Sequence, residues 1–181
     1  MKDLLYISPF FYPEPISTGK YNTDLVVELR DHADSVDVLC SHPIYPQWNV
    51  ELSEKTIEGV NIIRGGALLR FPKNVLLRRL VLELWFFQFV FKHLAFSKKK
   101  YSHIFVVFPP SLFMLIVRFF SKNAHVIGIV HDLQGVYAKK ESSVVKSVVS
   151  VLISKVESRS FSNCDQLVFL SEDMKAVAVA E

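Results

Sequence analysis

Six short runs rich in β-branched and aromatic residues recur along the chain: Asp3–Ile7, Ser35–Cys40, Val60–Arg64, His103–Phe108, His125–Val130 and Gln166–Leu170. Stretches of helical character separate them. Strands that alternate with helices bury their apolar faces most readily as a parallel sheet covered on both sides. The alternation therefore predicts an α/β domain built on a Rossmann-like open parallel sheet of about six strands. The expected helices are Thr18–Arg30, Asn74–Ser97, Ser111–Ser121, Ser142–Phe161 and one beginning near Glu172, with the longest lying between Pro72 and Lys100.

At 181 residues the chain has room for one large domain or two small ones, and a hydrophobic content of 50% excludes a disordered chain. Lys and Arg number 21 against 18 Asp and Glu, a net charge of +3. That is well short of the basic excess a duplex-binding protein carries, so no nucleic-acid partner is expected. Cys40 and Cys164 are the only cysteines, which leaves neither a disulfide framework nor a zinc spacing and makes the cytosol the expected compartment. The apolar amino-terminal stretch is broken by Pro9, too early for a secretory signal. The longest run without Lys, Arg, Asp or Glu, Tyr101 to Val117, is split by Pro109 and Pro110, so no transmembrane helix is expected.

Ligands of open parallel sheets sit beyond the carboxyl ends of the strands, and the unusual residues of this chain gather at those positions. The first strand leads into Ser8-Pro9-Phe10-Phe11-Tyr12-Pro13-Glu14-Pro15-Ile16-Ser17-Thr18-Gly19-Lys20-Tyr21. Prolines stiffen this loop, and Gly19 would let the backbone approach a ligand at the start of a helix, where free N–H groups favour phosphate. A helix cap at Ser17 or Thr18 accounts for the loop's form without accounting for Gly19 and Lys20 together. Neither G-x-G-x-x-G after this strand nor G-x-x-x-x-G-K-[ST] anywhere is present. The second strand runs into Ser41-His42-Pro43-Ile44-Tyr45-Pro46-Gln47-Trp48, whose rings Tyr45 and Trp48 suit either a sugar face or packing within the loop. The fifth ends in Val130-His131-Asp132-Leu133-Gln134-Gly135, an imidazole beside a carboxylate, which equally could cap the following segment.

Several of these segments together resemble a known family. Phe11-Tyr12-Pro13-Glu14-Pro15 with Ser17-Thr18-Gly19-Lys20-Tyr21, then Pro43-Ile44-Tyr45-Pro46, Glu58-Gly59-Val60, Phe108-Pro109-Pro110 and His131-Asp132-Leu133, look like the amino-terminal half of GT-B-fold, family-4-type retaining glycosyltransferases of bacterial surface polysaccharides. The likeness is greatest to the O-antigen and colanic-acid branch, including L-fucosamine transferases, and extends from the first strand to Leu170-Ser171-Glu172-Asp173-Met174.

The resemblance implies that residues 1–181 are the acceptor-binding half of a two-domain enzyme that transfers a sugar from a nucleotide sugar to a lipid-linked oligosaccharide. The nucleotide-sugar domain, with its paired glutamates, has no counterpart in this sequence, so the isolated chain is expected to fold without transferring sugar. The family pattern places Gly19 close to phosphate and His131 on the transferred sugar. Asp132 would orient His131 or an acceptor hydroxyl, and Lys20 would pair with diphosphate. Glu14, Thr18, Tyr45 and Trp48 complete the expected substrate-binding set. The nucleotide sugar is a co-substrate, and no further cofactor is expected. No Asp-x-Asp occurs, in keeping with a metal-independent mode in which helix ends and basic groups neutralise phosphate. A reading from another class is a non-catalytic, membrane-attached binding subunit that recruits a separate donor-domain chain. A GT-B-fold epimerase fits less well, because its soluble substrate would not explain the long helix.

In that helix, 100° per residue places Leu76, Leu80, Leu84, Phe87, Phe91 and Leu94 on one face, expected to pack on the sheet. The opposite face mixes Arg78, Arg79, Lys92 and His93 with Leu82, Trp85, Phe86 and Phe89. Such a mixture suits the boundary between anionic headgroups and acyl chains, with Lys98–Lys100 adding attraction. The expectation is peripheral attachment to the inner face of the cell membrane, with a second domain or a dimer partner as the alternative cover.

Overall fold

A computed structural model describes residues 2–133 and 155–179. Six strands, β1 (Asp3–Ile7), β2 (Ser35–Ser41), β3 (Asn61–Gly65), β4 (His103–Phe108), β5 (His125–Val130) and β6 (Gln166–Phe169), form one sheet in the order β3-β2-β1-β4-β5-β6. Every neighbouring pair is parallel, with Ile7 level with Leu39 on one side and Val106 on the other. Parallel strands are covered on both faces and so read as continuous apolar runs. In β1, β2, β4 and β5 nearly every side chain is accordingly buried. The Rossmann-like α/β sheet expected from the alternation is the fold observed.

Helix α1 (Ser17–Arg30) covers one face, burying Gly19, Asn22 and Val26 at helical spacing. Beneath it Leu4, Tyr6, Val36, Val38 and Val107 form one core layer. Tyr6 donates its hydroxyl to Asn22 Oδ1 at 2.9 Å, which satisfies both groups within that layer. The other face carries α2 (Val75–Phe96) and α3 (Met114–Phe120), over a layer that includes Leu5, Ile7, Ile104, Val106 and Val126. Helix α4 (Glu172–Val179) follows β6. Of the helix expected over Ser142–Phe161, residues 155–161 are helical and 142–154 lie outside the described residues.

Asn74 starts α2, its side-chain oxygen accepting from the N–H groups of Leu76 and Leu77. The faces of α2 differ in large part from those expected. Leu82, Phe86, Val90 and Leu94 are buried, whereas Leu76, Leu80 and Leu84 are each 53% exposed and Phe91 40%. Of the stripe assigned to the sheet, Leu94 is buried and Phe87 is partly buried against the same core. Trp85 stacks on Phe89 with ring centroids 5.5 Å apart, and both lie against the glycines that end β3. A Cβ on Gly65 would come within 2.7 Å of Phe89, and one on Gly66 within 2.9 Å of Trp85. Trp85, Phe86 and Phe89 are thus core or packing residues and not an outer membrane face, while Arg79 and Lys92 are exposed as expected. The helix has only six polar side chains, Arg78, Arg79, Glu83, Gln88, Lys92 and His93, too few to mark one face as wet. Tertiary packing decides the orientation instead.

Candidate functional site

The chain passes outward from β1 to β2 and β3, then crosses back through α2 to β4 on the other side of β1. Such a reversal leaves a crevice beyond the carboxyl ends of the two central strands. A cleft of about 300 Å³ occupies that position. Phe10 after β1, Tyr45 and Trp48 after β2, Phe108 to Pro110 at the end of β4, and His131 and Asp132 after β5 all line it. Helix α1 contributes Thr18, and α2 contributes Arg79, Leu82 and Glu83.

Of the residues singled out in the sequence, the fold brings together Thr18, Tyr45, Trp48, His131 and Asp132. The His131 N–H donates to the Phe108 carbonyl at 3.0 Å, continuing the β4–β5 pairing one residue past the strand. This bond holds the imidazole at the cleft edge. Burial lowers the pKa of His131 below the ordinary histidine value, so the ring is neutral at physiological pH and can both accept and donate a hydrogen bond. Trp48 sits in the left-handed region, φ 56°, uncommon for a residue with a bulky side chain. Its ring is held edge-on to Phe71 at 5.3 Å and to Phe10 at 6.4 Å, with the Arg78 guanidinium 4.2 Å above it.

Glu14, Gly19 and Lys20 fall elsewhere. The Glu14 carboxylate is buried and accepts from the N–H of Ile44 at 3.1 Å and of Tyr45 at 2.5 Å, tying the loop after β1 to the loop after β2. Burial raises its pKa despite those bonds. A Cβ on Gly19 would lie 2.9 Å from Glu14 Cβ and 3.0 Å from its carbonyl oxygen, so the close approach that this glycine permits is to Glu14 within the chain. Lys20 is exposed on the outer side of the loop and borders a separate depression with Tyr12, Pro13 and Asp24. Gln134 and Gly135, which follow the His131-Asp132 pair, lie outside the described residues.

Sequence reasoning did not place Glu83 or Arg79 in the cleft. Glu83 accepts from the N–H groups of Ser111, at 3.1 Å, and Leu112, at 2.9 Å, and so fixes the turn after Pro110 to α2. Burial pushes its pKa up, the two backbone bonds oppose that, and the nearby Glu157 adds to the rise. One signal was available: Glu83 is the only acidic residue in the 22 of α2. Arg79 carried no comparable signal, since its neighbour Arg78 has the same charge.

The geometry defines a class, a parallel α/β domain with a cleft at its topological switch point. Comparison with protein-family models and with curated proteins returns no match.

Proposed function

We propose that the cleft is the acceptor site of a retaining glycosyltransferase that elongates a lipid-linked oligosaccharide in bacterial surface-polysaccharide synthesis. The observation that carries this reading is the convergence of His131 and Asp132, after β5, with Tyr45 and Trp48, after β2, on one cleft. A neutral imidazole beside a carboxylate can hold a sugar hydroxyl, and the two rings offer an apolar wall to a sugar face. The motifs from Phe11 to Leu133 supply the rest of the argument through their family resemblance. The donor nucleotide sugar would be held by a second domain, as the resemblance implies, and no metal is invoked.

No described helix is long and apolar enough to cross a membrane. Peripheral attachment at the inner membrane face remains part of the proposal, on a different surface from the one read in the sequence. Phe91 and Phe120 meet edge-on at 5.6 Å between α2 and α3, and Phe119 beside them is 69% exposed. Lys92 and Lys122 are exposed close by in sequence, a combination suited to an anionic bilayer.

The test is transfer from a panel of nucleotide sugars to a lipid-diphosphate acceptor, measured for this chain and for the longest in-frame product that contains it. Transfer is expected from the longer product only. His131→Ala in that product should lower turnover roughly 100-fold with an unchanged melting transition. Absence of transfer to every lipid-diphosphate acceptor would sink the reading. A His131→Ala protein that turns over normally would remove that residue from the site.

A further inference from the structure

At the amino end of the sheet, opposite the cleft, two histidines stand side by side. His103 opens β4 and His125 opens β5, and the parallel register sets them level with each other. Residues paired in this way project from the same face of a sheet. The two rings meet edge-on with centroids 6.0 Å apart. The His125 N–H donates to the Ser102 carbonyl at 2.9 Å, which fixes the two strand starts relative to each other. Water reaches the pair, since the His125 side chain is 49% exposed.

Hydrogen-bond partners decide which nitrogen each ring offers. Ser102 Oγ lies 3.1 Å from the Asp3 carbonyl oxygen and 3.0 Å from His103 Nδ1. A hydroxyl has one proton and a carbonyl none, so the hydroxyl donates to Asp3 and the Nδ1–H of His103 donates to Ser102. The free lone pair of His103 is therefore on Nε2. Asp165 Oδ2 accepts from the Val126 N–H at 2.8 Å while Oδ1 pairs with Arg118, which makes this carboxylate an acceptor only. It lies 3.6 Å from His125 Nδ1, so the proton of that ring is drawn to Nδ1 as well. Asp165 sits just before β6, on the side of β5 away from β4, and the Nε2 side of the His125 ring is thereby turned toward His103. A hydroxyl behind one Nδ1 and a carboxylate behind the other are the supports that metal-bound imidazoles characteristically carry.

A ring that binds an ion through Nε2 holds it about 3.2 Å from the ring centroid, so two rings on one tetrahedral ion stand about 5.2 Å apart. A small side-chain rotation closes the observed 6.0 Å to that separation. We propose that His103 and His125 form a binding site for a divalent transition-metal ion of the Zn2+ class, held by the two Nε2 atoms with water completing its shell. Among the described residues no group of three or more His, Cys, Asp or Glu is placed to hold an ion, so the bound ion is exchangeable and clasps β4 to β5. Imidazole nitrogen selects Zn2+, Cu2+ and Ni2+ over the oxygen-seeking Mg2+ and Ca2+. The site takes no part in the transfer proposed for the cleft and stands independently of it.

The test is calorimetric titration of untagged protein with ZnCl2 in a buffer that does not bind metal. Zn2+ should bind saturably, and MgCl2 and CaCl2 at the same concentrations should give no binding heat. His103→Asn and His125→Asn should each weaken Zn2+ at least tenfold, and Asp165→Asn, which alters only the support behind His125, about tenfold. His32→Asn, on the exposed turn after α1, should bind as the original protein does. The electron paramagnetic resonance spectrum of bound Cu2+ should show coupling to two nitrogens in the original protein and to one in either single variant, a signature that a merely structural role for the histidines does not produce. Saturating Zn2+ should raise the melting temperature of the original protein and leave that of the double variant unchanged. Should a substitution prevent folding, the Cu2+ spectrum of the unaltered protein still decides, and coupling to a single nitrogen overturns the site. Absence of saturable Zn2+ binding overturns it too, as does an affinity that both histidine substitutions leave unchanged.

Discussion

The two ends of the sheet treat their buried carboxylates in opposite ways. At the amino end, Asp37 accepts from Asn61 Nδ2 at 3.0 Å, Lys99 Nζ at 2.9 Å and the Tyr101 hydroxyl at 2.8 Å. Burial alone would raise its pKa, yet these three donors outweigh burial and hold it below the usual value. Asp165, an exposed residue bonded to Arg118 and to the Val126 N–H, is held low as well, chiefly by the arginine. At the carboxyl end, Glu14 and Glu83 are hydrogen-bonded to backbone N–H groups alone, and burial holds both above the usual range. Among the described residues Arg79, at the cleft, has no ionic partner, and Arg78 lies on the Trp48 ring. Carboxylates at the amino end are met by side-chain donors that join β2 to β3 and to the segment after α2, whereas those at the carboxyl end brace loops through backbone N–H groups.

The sharpest way to break this comparison is Asp37→Ala. It would leave a lysine, a tyrosine hydroxyl and an asparagine amide without their common acceptor, and removing one member of a buried, charged cluster costs about 3 kcal/mol. Urea unfolding at neutral pH should show that loss. A loss below about 1 kcal/mol would place Asp37 among ordinary exposed ion pairs and end the contrast.

A smaller effect is expected from Glu83→Ala. Two backbone N–H groups at Ser111 and Leu112 would lose their acceptor, at a cost of about 2 kcal/mol. Because Glu83 also joins α2 to the Pro110 turn across the cleft, ligand affinity should fall along with stability. Glu83→Gln retains one acceptor oxygen and should recover part of both. Loss of stability with no change in binding would make Glu83 a strut remote from the ligand.

The same contrast explains what could be read from the sequence. Strand positions were legible because a parallel strand is buried on both faces, so β1, β4 and β5 show as apolar runs bounded by turns. The cleft residues in the segments that follow strands, Trp48 after β2 and His131 and Asp132 after β5, followed from that placement. The orientation of α2 did not, since a helix with leucine and phenylalanine on every side has no intrinsic core face. Phe86 is buried and Leu84 exposed by the contacts they find, not by their type. The role of Glu14 was illegible for a related reason: its partners Ile44 and Tyr45 lie some thirty residues away, across a pairing that exists only once β1 and β2 are joined. Gly19 was read as an opening for a ligand because nothing in the sequence shows Glu14 folding back over it.

The smallest expected effect is a difference in sign with pH. A carboxyl whose folded pKa is raised binds more protons in the fold than in the unfolded chain, so its contribution to stability increases as pH falls through the raised value toward 4.5. A carboxyl whose folded pKa is lowered contributes fully above 3.8, and that contribution disappears as pH falls through the lowered value. Glu83→Gln and Asp37→Asn each remove one titration while nearly preserving shape. The stability gap between the original protein and Glu83→Gln should therefore widen as pH falls from neutrality toward 4.5, where Asp37→Asn shows no trend. Below 3.8 the gap for Asp37→Asn should narrow while that for Glu83→Gln stays level. Measuring each gap at matched pH, in a His93→Gln background that removes the one histidine whose pKa the Asp37 charge raises, cancels His42, His103 and His131, whose lowered pKa values cost stability on acidification in all three proteins alike. Two gaps with the same slope above 4.5 would show that both ends of the sheet hold their carboxylates by the same means, against the contrast drawn from their hydrogen-bond partners.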